Sequence, residues 1–105
     1  MTNEYGQQLD RNHYAPSVVH AGRDCYWCGT VNGKIDRHEI YHGAYRQKSK
    51  ELGLWVPLCH SCHMRLHQRA AEMDAELKRS GQLTAQEHYG WSVDEFRRRF
   101  GKNYR

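Results

Sequence analysis

Two Cys-x-x-Cys pairs and the histidines beside them hold the residues of this chain best suited to chemistry. Cys25-Tyr-Trp-Cys28 and Cys59-His-Ser-Cys62 are separated by 30 residues. Each such turn brings two sulfurs to one ion without backbone strain, so the four thiols fit one tetrahedral zinc. A filled coordination sphere makes a structural metal and leaves no open position for a substrate. A reaction therefore needs a second site. The second pair runs straight into His63-Met-Arg-Leu-His67. On a helix, residues four apart lie on one face, so His63 and His67 could grip a second divalent ion.

The rest of the composition limits what surrounds these groups. The chain has 105 residues, which suits one domain. Its mean hydropathy is −1.01, and with two Phe it buries a small core of the kind that usually needs a staple. Zinc supplies one, and its binding energy is then folding energy. A formal charge of +4 suits a polyanionic partner without requiring one. Four cysteines also allow disulfides. However, Met1–Asp10 lacks the charged start and apolar core of a signal peptide, and no apolar run approaches a membrane span. The expectation is a cytoplasmic protein that keeps its thiols reduced and makes no membrane contact.

The positioning elements follow from local pattern. Residues 1–22 read as a loose N-terminal arm, 23–80 as the core and 81–105 as a helical extension packed on it. Pro16 argues against a helix in the arm. Gly29 lets the first pair turn, and Asn32-Gly33 signals a hairpin. A short strand should follow, carrying Ile35 and Ile40. Alternation puts His38 on one face with Asp36 and Ile40, and Glu39 on the other with Arg37 and Tyr41. Residues 46–53 are a basic turn, helical or looped. Leu54–Leu58 reads as a second strand, with Pro57 at an edge or an end. The main helix is expected over 60–79, where Leu66, Ala70, Met73 and Leu77 make one apolar face. His63 and His67 lie at the rim of that stripe, about 60° away. Gly81 marks the expected helix end. Thr84-Ala-Gln-Glu87 and Ser92-Val-Asp-Glu95 both fit capping boxes. A last helix should run from about Val93 to Phe100 with Gly101 as its cap, spreading Arg97, Arg98 and Arg99 over the outer face.

A strand, a turn, a second strand and a helix would then bring one His near the first strand's end to a His-x-x-x-His pair. That arrangement suits a one-metal phosphodiesterase. A neutral His takes a proton from water while a second group holds a divalent metal against the scissile phosphate. His fits the base role because its pKa lies near working pH.

Cys25-x-x-Cys28, Arg37-His-Glu-Ile40, Trp55-Val-Pro-Leu-Cys-His-Ser-Cys-His63 and His67 resemble the HNH (ββα-metal, His-Me finger) endonuclease superfamily. More narrowly, they are similar to the small HNH-like proteins of phages and prophages in Gram-positive bacteria. The ending Phe100-Gly-Lys-Asn-Tyr104 also matches that subgroup. The resemblance spans residues 25–104. It implies a small α+β fold: a zinc-stapled ββα-metal core with additional C-terminal helices. It further implies a structural Zn2+ on Cys25, Cys28, Cys59 and Cys62, and a catalytic Mg2+, Mn2+ or Ni2+ on His63 and His67, with His38 or His42 possible as a further ligand.

Two departures from the family pattern bear on activity. The family commonly has Asp-His or His-His in the first strand. If His38 takes the second position of that pair, it is the base and Arg37 replaces a ligand. If it takes the first, His38 is a ligand and Glu39 stands where the base belongs. A Glu at its ordinary pKa is the weaker base at neutral pH, which favours His38 as base. The middle Asn of the family, which braces the loop carrying the base, would fall at Leu54 or Tyr45, and neither offers an amide.

The expected function is a divalent-metal-dependent endonuclease that hydrolyses DNA phosphodiester bonds in the bacterial host cytoplasm. It would be a monomer or homodimer, and other phage proteins are possible partners. Arg37, Arg46, Lys48, Lys50 and Arg65 are the candidate phosphate contacts. The competing reading is a non-catalytic zinc module that binds DNA or protein on a degenerate HNH scaffold.

Overall fold

Two five-residue strands, β1 (Ile35–Glu39) and β2 (Trp55–Cys59), pair antiparallel and form the sheet on which the histidines are hung. The computed structural model describes residues 1–69 and 71–105. Within them the fold is a small α+β arrangement with a two-stranded sheet and four helices. Helix α1 (Arg46–Glu51) lies between the strands, and α2 (His60–Arg69) leaves β2 directly. They are followed by α3 (Ala71–Tyr89) and α4 (Val93–Phe100).

The register places Arg37 opposite Pro57 and His38 opposite Val56. Pro57 thus sits mid-strand. Its carbonyl points outward and accepts a hydrogen bond from the Tyr26 N–H at 2.8 Å. In an antiparallel pair the N–H and C=O of one residue point the same way, so the missing proline N–H costs the sheet no bond. The Tyr26 contact also ties the first Cys turn to β2.

The helix expected over 60–79 is met by α2 up to Arg69 and by α3 from Ala71, and α3 runs ten residues past the expected end. Ala70, placed in the apolar stripe by its spacing, lies outside the described residues. Gly81 does not stop the helix. It lets α3 approach the end of β1: a Cβ there would meet Tyr41 Oη at 2.9 Å and two Ile40 carbons at 3.2 Å. Leu77, Gly81, Gln82 and Ala85 form one continuous buried face of α3. That packing overrides the capping box at Thr84, which lies inside the helix. The expected boundary at residue 80 therefore cuts an unbroken helix.

The bounds and caps expected for α4 hold. Ser92 Oγ accepts from the Glu95 N–H at 3.1 Å, and Gly101 closes the helix at φ 77°. Phe96 and Phe100 are fully buried beside Tyr41, with ring centres 5.5 and 4.7 Å from it. Burial of each Phe contributes about 1.5–3 kcal/mol. Arg99 does not spread outward with its neighbours. It lies over Trp91 and pairs with Glu4 and Glu95. The chain end is pinned as well: buried Gln82 donates to Asn103 Oδ1 (2.9 Å) and accepts from the Tyr104 N–H (2.7 Å).

The first 22 residues are held, not loose. Tyr5 stacks on Tyr89 with ring centres 4.4 Å apart, and Leu9 and Ala15 are buried. Ala15 N–H donates to Lys50 O, Val18 N–H to Gly53 O and Trp55 Nε1 to Ala15 O. Gly53 is needed at that crossing. Its φ is 72°, and a Cβ would run into the Pro16 carbonyl. Polar composition conceals this arm because its anchoring is mostly backbone and aromatic.

Candidate metal centres and the cleft between them

The four cysteines come from the two ends of the hairpin. Cys25 and Cys28 lie on the loop before β1; Cys59 ends β2 and Cys62 sits in the first turn of α2. Their ligand sulfurs lie within 4.8 Å of one another, and no two are bonded. Cys28 Sγ and Cys59 Sγ are 3.8 Å apart. Four sulfurs at 2.3 Å from one tetrahedral ion would be about 3.8 Å apart, far beyond a disulfide bond. The Cys28 and Cys62 N–H groups each point at the first sulfur of their own pair, at 3.4 Å. This cluster could bind a metal such as zinc. Burial opposes ionisation of Cys25, but N–H donors from Cys28, Cys59 and Trp27 outweigh it and bring the thiol down to about 6. Burial and the neighbouring sulfurs push Cys62 up to about 12. One thiolate forms readily and opposes the next, and a cation removes that opposition.

The second group lies between β1 and α2. His38, His63 and His67 each offer a ligand nitrogen, all within 4.8 Å of one another. The strand face turned toward α2 carries Asp36 and His38, as alternation requires. His63 Nδ1 donates to Asp36 Oδ2 at 3.0 Å. An ionised carboxylate only accepts, so in the neutral ring the proton is on Nδ1 and the lone pair on Nε2. That Nε2 is 3.2 Å from His67 Nε2. Two nitrogens bound at 2.0–2.1 Å to one tetrahedral ion would stand about 3.3–3.4 Å apart.

His38 is the buried member of the group, 4% exposed, and its Nε2 has no hydrogen-bond partner. Burial, then the neighbouring His42, His63 and His67, push its pKa down to about 4. The ring is neutral at physiological pH and lies among other imidazoles, with the His42, His63 and His67 ring centres 5.1, 5.3 and 6.1 Å away. An unpaired buried nitrogen is costly, and coordination would satisfy it. The donor set therefore fits a divalent transition ion.

Glu39 faces the opposite way. Its carboxylate accepts from Tyr14 Oη (2.8 Å) and Arg46 Nε (2.6 Å). Burial alone would raise this carboxyl, but Tyr14 and Arg46 outweigh it and hold the group below its ordinary value. Glu39 and Arg46 still line the same cleft as the histidines, a space of about 320 Å³ with Tyr14, Arg37, His38, His42, Gly43, His63 and His67 in its walls.

A larger groove of about 760 Å³ opens beside His60, His63 and His67 and carries Lys34, Arg37 and Lys50 along its rim. The five basic residues singled out by sequence thus divide. Arg37 lies over Tyr14 and Trp55 and pairs with Asp10 at 2.6 Å. Lys50 sits over Tyr14. Arg46 pairs with Glu39. Lys48 reaches Arg99 O at 3.1 Å, and Arg65 is exposed on α2; neither lines the cleft or the groove.

Two contributors were missed from sequence. Asp36 was assigned to the face of His38 but given no role, and its partner becomes visible only once α2 is placed. Ser49 lies in the stretch read as a basic turn, yet it is fully buried. Its Oγ donates to Leu54 O (2.5 Å) and accepts from the Tyr41 N–H (3.2 Å), bracing the chain after β1 against the chain before β2. No local signal marks it.

No helix among the described residues is long and apolar enough to cross a membrane. Compared with family models, curated proteins and solved structures, the chain matches none.

Proposed function

We propose that the protein is a divalent-metal-dependent endonuclease of the HNH type, acting on DNA phosphodiester bonds and encoded by a phage or prophage. The convergence of His38, His63 and His67 beside a basic groove supports this best. A purely structural zinc module has no need of that trio. The order β1, β2, α2 with the cysteines at the hairpin ends is what the ββα-metal resemblance leads one to expect.

In this reading Cys25, Cys28, Cys59 and Cys62 hold a structural Zn2+. His38, His63 and His67 would hold the catalytic cation, and among Mg2+, Mn2+ and Ni2+ an all-imidazole donor set suits Ni2+ best. What that cation supplies when bound is neutralised charge at the scissile phosphate and a more acidic water. His38 acts as ligand and not as base, because its ring is buried among the other imidazoles. Glu39 then stands in the base position. Tyr14 and Arg46 hold its carboxylate ionised in the cleft wall, a weak base that would suffice for a water the cation has made more acidic. Arg37 at the cleft, and Lys34 and Lys50 at the groove, would hold the phosphate backbone without reading sequence.

The test is nicking of supercoiled plasmid by zinc-loaded protein with Mg2+, Mn2+ or Ni2+. Metal-dependent nicking supports the reading. Retarded migration of DNA on a gel with no nicking under any of the three cations would favour the non-catalytic module.

A further inference from the structure

We infer that His42 and Asp74, together with His38, form a second seat for a late transition ion, distinct from the His63/His67 seat. The inference stands on metal geometry alone and does not need the nuclease reading. These three residues offer ligand atoms within 4.8 Å of one another. His42 follows β1 and Asp74 belongs to α3, whereas His63 and His67 belong to α2.

Three observations carry it. The His42 and His63 rings lie almost equally near the His38 ring, at 5.1 and 5.3 Å. The buried Nε2 of His38 has no partner in the protein. His42 Nε2 and Asp74 Oδ1 are 3.5 Å apart. That is long for an N–H···O bond but close to the 3.3–3.4 Å, approximately, between two ligands of one tetrahedral ion. Lys78 occupies the other oxygen, Oδ2, at 2.8 Å. It fixes the carboxylate and leaves Oδ1 turned to His42. Two imidazoles and one carboxylate suit Zn2+, Co2+ or Ni2+.

A neutral imidazole has one free lone pair. His38 therefore serves one seat at a time, and the chain should take one ion beyond the four-cysteine site, distributed between two positions.

The experiment is Co2+ titration of full-length, zinc-loaded protein, read by visible absorption and calorimetry. The thiolate-to-cobalt band reports any exchange at the cysteines. Wild type should bind one Co2+. The variant His63→Ala/His67→Ala should still bind one, and adding Asp74→Asn or His42→Ala should weaken that residual binding by ~10-fold or more. Should the double variant not fold by circular dichroism, His67→Ala with and without Asp74→Asn gives the same comparison from an exposed position. The inference is overturned if removing the α2 pair abolishes Co2+ binding, or if Asp74→Asn and His42→Ala leave the residual binding unchanged. Neither outcome depends on whether the protein cuts DNA.

Discussion

The Asp36 carboxylate accepts a hydrogen bond from His63 Nδ1 at 3.0 Å and so turns the Nε2 lone pair of His63 toward His67 and His38. Asp36 also lies 3.4 Å from His60 Nδ1 and 3.6 Å from Lys34 Nζ. His63 dominates, and with His60 and Lys34 it holds the Asp36 carboxyl below its usual range against the opposing effect of burial. Asp36→Asn should weaken divalent-ion binding at the histidines by about 10–100-fold. The four-cysteine zinc should be unaffected. Calorimetric titration of zinc-loaded protein with Ni2+ checks both halves.

Glu39 links the strand to pH-dependent stability. Its folded pKa is lowered from the ordinary carboxylate value. Its contribution is therefore complete above the unfolded pKa and disappears as pH falls through the folded one. Arg46 is largely exposed, so solvent discounts its share, and Glu39→Gln should cost about 1–2 kcal/mol at pH 7. The gap between the variant and wild type should close as pH falls below about 4.5. Urea unfolding at several pH values measures it, and metal loss in acid affects both proteins alike.

Gly81 reverses the ordinary rule for helices. An Ala inside a helix is normally favoured over Gly by about 1 kcal/mol. Here the added methyl would press on Tyr41 and Ile40, both fully packed. Gly81→Ala should destabilise the protein by roughly 1–3 kcal/mol in urea melts.

A metal held by the four cysteines would staple the hairpin base, and its removal should unfold it. The four cysteines bridge the loop before β1 to the junction of β2 and α2, and the remaining core is small. A strong chelator, or Cys62→Ser, should abolish the cooperative thermal transition, and Zn2+ should restore it only in the wild type.

What could be read from the chain alone follows from how local each signal is. The cysteine pairs, the Ser92 cap and the strand alternation that sets His38 opposite Glu39 need only neighbouring residues. The end of α3 did not follow from Gly81 because that glycine answers to Tyr41, forty residues away in sequence. The arm looked loose because Tyr5, Ala15 and Val18 are held by partners spread along the chain. Ser49 and Asp36 are ordinary polar residues until two elements meet around them. Arg46 looked like a phosphate contact, and only the fold shows that Glu39 already holds its guanidinium.

The most direct test compares plasmid nicking by wild type, His38→Ala and Glu39→Gln, each zinc-loaded and supplied with Mn2+ or Ni2+. The account predicts metal-dependent nicking by wild type, loss of that activity with loss of the histidine-site cation in His38→Ala, and a rate lower by about 10²-fold or more in Glu39→Gln with the cation still bound. Undiminished nicking by His38→Ala, or no nicking by wild type with the cation bound, would contradict it.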